Sequence, residues 1–207
     1  MILQILLSPW MLALAALAIG LAFGFAAIIT DDIDDPDGSD NMGGIKTTIY
    51  YTDAANITTW PVPSENPSAP EDSVNLSGNF ELATGKKWHS VYVTQDTGGV
   101  EDMIQGDRDG KSFINKLTFF TPGNKPKLLG LIKQLLNANT VWLVPDAQGQ
   151  YRVVGSEDFP AKMDEATITT GQTTEDRRGA TMTFSNASRH PAGIYTGSVD
   201  EYSGSGS

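Results

Sequence analysis

From Val74 onward, short runs of β-branched and aromatic residues alternate with clusters of Gly, Pro, Asn and Asp. Val74–Ser77, Asn79–Leu82 and Trp88–Thr94 carry apolar–polar alternation, and Phe113–Phe120, Val141–Val144, Tyr151–Val154, Ala166–Thr169 and Ala180–Phe184 follow. A period of two in residues of this type predicts strands. Pro145–Gln150, with Gly149 available for a positive φ, predicts a hairpin joining Val141–Val144 to Tyr151–Val154. One stretch has the helical period instead. Leu128, Leu129, Ile132, Leu135 and Leu136 fall on a single stripe, with Asn124 as the expected cap and Pro126 in the first turn. The helix is expected over about 125–138, with its stripe buried against a sheet. The fold class is therefore mainly β: a β-sandwich or partly closed β-barrel with one packed α-helix.

The N-terminus follows a different pattern. Ile2 to Ile29 carries no charge, and Trp10–Ile29 is 20 residues of almost continuous apolar chain. As an N-terminal apolar helix it would span a bilayer core of about 30 Å. No Lys or Arg precedes Lys46, so no charge sets an orientation. The run stops at Asp31-Asp32-Ile33-Asp34-Asp35-Pro36-Asp37-Gly38-Ser39-Asp40, and Met42-Gly43-Gly44-Ile45-Lys46 reads like the start of a soluble chain. Two readings stay open: residues 1–30 are a transmembrane helix, or the start is mis-assigned and the product begins at Met42. The remaining divisions are an acidic linker at 31–43, a β-rich domain at 44–198 and a flexible Gly/Ser tail at 199–207.

Charge narrows the partners. The 207 residues hold 25 acidic and 14 basic side chains, a formal charge of −11. Six of the acids lie within residues 1–41, so the β-rich part is only mildly acidic. Affinity for nucleic acid comes largely from Lys and Arg on phosphate, which disfavours a phosphate-gripping surface. Cysteine is absent, which excludes a disulfide framework, Cys-ligated zinc and thiol catalysis.

No constellation of catalytic, cofactor or metal residues emerges, and the chain is expected not to be an enzyme. A calcium loop counted back from Gly38 meets Ile33 at its first ligand position, and one counted back from Gly110 meets Gln105. His89 lies in a strand pattern and His190 in a loop, with neither metal nor triad spacing. The pairs Asp107/Asp109, Glu157/Asp158 and Asp164/Glu165 read as solvated turns, Arg177-Arg178 as a mixed-charge turn, and the triplets headed by Asn56, Asn75 and Asn186 as chance matches.

Several ordered features resemble a known family. Gly44-Ile45-Lys46 with Tyr50-Tyr51-Thr52-Asp53 is followed by Asp107-Arg108-Asp109-Gly110-Lys111-Ser112-Phe113 and Asn115-Lys116-Leu117-Thr118. The Leu-rich helix and its hairpin come next, then Phe159-Pro160-Ala161-Lys162, Thr170-Gly171-Gln172-Thr173, Ala180–Phe184, Pro191-Ala192 and Ile194-Tyr195-Thr196-Gly197. Over residues 42–197 this resembles the major tail tube proteins of long-tailed bacteriophages, in particular a set from phages of Bacteroidetes-type hosts. The resemblance implies a non-enzymatic homo-oligomer of stacked rings, usually hexameric, assembled in the host cytoplasm into the virion tail. Its partners would be other tail proteins and DNA passing through the lumen without sequence-specific binding. Loops 61–73, 95–111 and 170–179 are the expected stacking segments. The alternative is a membrane-anchored extracytoplasmic β-sandwich binding domain, with a membrane partner only if residues 9–29 are retained.

Overall fold

A computed structural model describes residues 28–35, 38 and 41–199. The expected apolar helix, the C-terminal tail from residue 200 and part of the acidic linker lie outside the described residues. Among those described, no helix is long and apolar enough to cross a membrane.

The chain is mainly β, in several sheets, with one α-helix and no closed barrel among the described residues. In chain order the strands are β1 (Thr48–Asp53), β2 (Ile57–Thr59), β3 (Asn75–Leu76), β4 (Glu81–Leu82), β5 (His89–Tyr92), β6 (Gly99–Gln105) and β7 (Ser112–Pro122). Helix α1 (Pro126–Leu135) precedes β8 (Thr140–Pro145), β9 (Tyr151–Val154), β10 (Lys162–Thr169), β11 (Gly179–Ser188) and β12 (Gly193–Tyr195). Six strands form one sheet in the order β3-β12-β9-β8-β1-β5. Four form a second, β10-β11-β7-β6, and β2 pairs with β4.

Two apolar clusters hold these sheets together. The larger joins Ile49, Val91, Trp142, Val144 and Val154 of the six-stranded sheet to Leu117, Phe119, Ala180, Met182 and Phe184 of the four-stranded one. Trp142 is its centre, with ring centroids 4.5 Å from Phe184, 5.3 Å from Phe119 and 5.1 Å from Tyr51. The indole Nε1 donates to Thr140 Oγ1 at 2.9 Å, and Thr140 Oγ1 donates onward to the Ala161 carbonyl at 2.8 Å. The buried polar edge of the ring is thus satisfied, as a buried indole requires.

The smaller cluster covers the opposite face of the six-stranded sheet. Val141, Leu143, Val153 and Tyr195 pack there against Ile57 and Trp88, with Trp60 and Phe80 closing over them. The excursion from residue 54 to 88 thus forms a lid on that face. Strand β8 is consequently buried at all six positions. That is why Val141–Val144 reads as an unbroken apolar run and not as an alternation.

The expected hairpin is present as β8 and β9, with Gly149 at φ 95°. The helix is present, but its buried face is rotated. Leu128, Leu131, Ile132 and Leu135 pack on the larger cluster, while Leu129 and Leu136 are exposed. Six of eleven residues from Pro126 to Leu136 are apolar, so two overlapping stripes fit the helical period, and contact with the sheet selects one. Asn124 does not cap the helix. Lys125 is the N-cap without a side-chain bond, and Asn124 Nδ2 donates to the Thr169 carbonyl at 2.8 Å.

Deleting the Trp142 side chain removes the centre of the larger cluster and leaves Thr140 Oγ1 without its donor. Trp142→Ala is expected to cost about 3–5 kcal/mol in denaturant unfolding. A loss below about 1 kcal/mol would mean the two sheets are not joined through this residue.

Candidate assembly surface

The four-stranded sheet packs one face into the larger cluster. Strand β7 is 11 residues long and pairs with β11 over ten registered positions, from Gly179↔Pro122 to Ser188↔Phe113. Leu117, Phe119, Met182 and Phe184 point into the core. The alternate positions point outward: Phe120 is buried there beneath Arg177, while Lys116, Thr118, Thr183 and Ser185 are half-buried. Across that outer face, Glu101, Lys116, Ser185 and Lys162 form one cross-strand row. Gly99, Thr118, Thr183 and Glu165 form the next, with Thr118 Oγ1 and Thr183 Oγ1 in a 3.3 Å hydrogen bond. Acid and base balance on this face, and no basic stripe runs along it.

Both edges of the sheet are open. Strand β6 ends it on one side and β10 on the other, so each presents a row of backbone groups without a neighbouring strand. Exposed apolar side chains sit on both edges: Met103 at 45% and Ile104 at 65% on β6, and Ile168 at 46% on β10. Every pairing in this sheet is antiparallel, so the two edge strands run in opposite directions. A second copy in the same orientation can therefore set its β10 beside β6 and continue the alternation.

Strand β6 lies within 95–111, one of the segments expected to be a stacking loop. Gly99–Gln105 is a strand, and only its turn is irregular. Positions 101 to 105 are exposed throughout, so no apolar alternation marks the strand in sequence. The turn contains Asp107 and Asp109. Gly106 at φ 97° and Asp109 at φ 69° let it reverse, and Gly110 N donates to the Asp107 carbonyl at 3.2 Å. The other two segments hold local frames. Asp176 accepts from Gln172 N and Thr173 N, both at 2.8 Å, while the Arg177 guanidinium lies 4.6 Å from the Phe120 ring centroid. Asp72 accepts from Ser68 N at 2.9 Å, Ser68 Oγ at 2.8 Å and Ala69 N at 3.1 Å.

The residues weighed for chemistry are scattered, with one exception. His89 lies on β5, its ring centroid 5.5 Å from that of Tyr51. Burial, with Lys87 nearby, holds its imidazole pKa below the ordinary value. Asp164 and Glu165 are exposed on β10, at a bulge between Met163 and Glu165. Glu157, Asp158 and His190, far apart in sequence, line one cavity of about 250 Å³ with Trp60, Phe80 and Asn115. All three ionisable side chains are exposed there. Asn115 is buried, and its Oδ1 lacks a hydrogen-bond partner. Asn186, beside it on β11, is also buried and accepts from Gly155 N at 3.0 Å. Among the described residues, no group of three or more His, Asp or Glu is placed to hold a metal.

Comparison with protein families, with curated proteins and with solved structures returns no match.

The carboxylates of Asp72 and Asp176 are held below the ordinary value of 3.8, chiefly by the backbone N–H groups that they accept from. A depressed carboxylate contributes stability that is present above the unfolded pKa and lost as pH falls through the folded one. Both loops should therefore keep their shape at neutral pH and loosen only in acid, below about pH 4. Carbon-detected NMR titration of the side-chain carboxyls should place both midpoints below 3.8. Midpoints at or above that value would show that the loop frames do not form in solution.

Proposed function

We propose that this chain is a structural subunit that assembles with copies of itself into stacked rings, as the tail tube of a long-tailed bacteriophage does. The observation that carries the reading is the four-stranded sheet, with two unlike edges and an outer face bearing the Glu101–Lys162 and Thr118–Glu165 rows. An exposed, well-formed edge strand invites pairing, and soluble proteins ordinarily blunt it. Here neither edge strand contains Pro, and both display apolar side chains.

Because the edges are β6 and β10, copy-to-copy pairing is head-to-tail. Such contacts generate rings when the rotation closes. The protomer is then a sandwich whose inner face forms the core and whose outer face lines the ring. A lining of threonines, serines and balanced Glu101, Lys116, Lys162 and Glu165 suits a channel that DNA crosses without being held. Counterion-releasing grip on phosphate needs an excess of Lys and Arg, and this face has none. The turns at 106–111, 61–73 and 170–179 remain the proposed contacts between rings. No step of this role requires catalysis.

Electron microscopy of the concentrated protein tests the reading. Rings or tubes are expected, with Ile104→Asp or Ile168→Asp leaving dispersed monomers. Both side chains are exposed, so each change should leave monomer stability within about 0.5 kcal/mol. Monomers at every concentration, or assembly unaffected by either substitution, would overturn the proposal.

A further inference from the structure

A second surface lies on the other sheet. Strand β5 is the edge of the six-stranded sheet, and helix α1 runs near it across a cleft of about 780 Å³. Tyr51, Lys87, His89 and Ser90 line the sheet side, and Lys127 and Leu131 the helix side. At the far end of β5 the Tyr92 carbonyl is already taken by Thr121 Oγ1 at 3.0 Å, so the open stretch is its beginning, around His89 and Ser90.

The charge of this cleft is one-sided. Its lining holds Lys87 and Lys127 and no Asp or Glu. Lys86 adjoins Lys87 in sequence, and Lys133 sits in the last turn of α1. A chain with 25 acidic and 14 basic residues thus lines this groove with two lysines and no acid. The same chain concentrates six aspartates in Asp31–Asp40. The part of that segment in Asp31–Asp35 is irregular and exposed, and Ile33 at its centre is 98% exposed.

We propose that the cleft between β5 and α1 is a docking site for the acidic segment Asp31–Asp35 of a second copy of this chain. The dimensions agree. Helix α1 has ten residues and is about 15 Å long, and five extended residues at about 3.3 Å each cover that length. An extended segment laid there can add to the open start of β5 through its backbone. Alternation puts Asp32 and Asp34 on one side and Ile33 on the other, so lysines and the apolar wall at Leu131 are met together. Opposite charge sets the register and the choice of partner. This contact uses neither β6 nor β10, and it stands or falls apart from the ring reading.

The absence of cysteine makes the test direct. Full-length chains carrying Ile33→Cys are mixed under mild oxidation with chains carrying Gln134→Cys, on the helix wall of the cleft. A third preparation carries Ser77→Cys, exposed and remote on the β3 side of the sheet. The Ile33→Cys chain should form a mixed disulfide with the Gln134→Cys chain and not with the Ser77→Cys chain. Adding Lys87→Glu and Lys127→Glu to the acceptor should abolish the cross-link, and replacing Asp31, Asp32, Asp34 and Asp35 by Lys in the donor should restore it. That rescue separates docking from a folding defect in the acceptor. No mixed disulfide, equal cross-linking to the Ser77→Cys chain, or cross-linking indifferent to charge reversal would overturn the proposal.

Discussion

The structure depends on one constraint: strand β8 is buried from both sides. Trp142 and Val144 serve the core shared with the four-stranded sheet, and Val141 and Leu143 serve the core beneath the 54–88 excursion. Thr140 closes one end through its bonds to Trp142 and Ala161. Immediately after β9, Gly155 has φ 104°, and a Cβ there would lie 2.7 Å from the Thr140 carbonyl. Glycine is what lets the chain pass that close. With one strand central to both clusters, the six-stranded sheet is a wall with two covered faces. The four-stranded sheet then buries its inner face against that wall, and β6 and β10 remain its edge strands.

On the proposed reading, this division of labour separates stability from assembly. The apolar contacts that hold the fold lie along β7, β8 and β11. The edge strands, β6 and β10, add little to the clusters beyond Val100, Met163 and Ala166. Substitutions on the edges can therefore alter association while the core stands, and substitutions at Trp142 disturb everything at once. The cleft beside β5 follows the same logic on the other sheet, where the open edge is flanked by lysines and the exposed acidic segment carries the complementary charge.

The parts of this architecture legible in the sequence are those whose environment is uniform along the strand or helix. Val141–Val144 and Tyr151–Val154 stand out because double burial makes β8 continuously apolar and a glycine turn joins the pair. The helix is legible by period, although its face is ambiguous among six apolar residues. Strand β1 is obscured because Tyr50 and Tyr51 are adjacent apolar positions that pack on different clusters. Strand β6 is obscured because Glu101 to Gln105 face solvent whichever way they point. Its pairing is dictated by β7 and not by its own pattern. The candidate assembly surface was hidden for a related reason: an open edge is a property of strand order, and strand order is not a local feature. The meeting of Glu157, Asp158 and His190 at one cavity depends in the same way on the path of the chain.

Residue-resolved amide hydrogen exchange, read in dilute and in concentrated protein, addresses the account most directly. Amides of β8 should exchange slowest under both conditions, while β6 and β10 should be weakly protected when dilute and gain protection on association. If β6 and β10 stay unprotected in the associated state, or β8 exchanges as fast as they do, the separation of a doubly buried strand from two assembling edges is wrong.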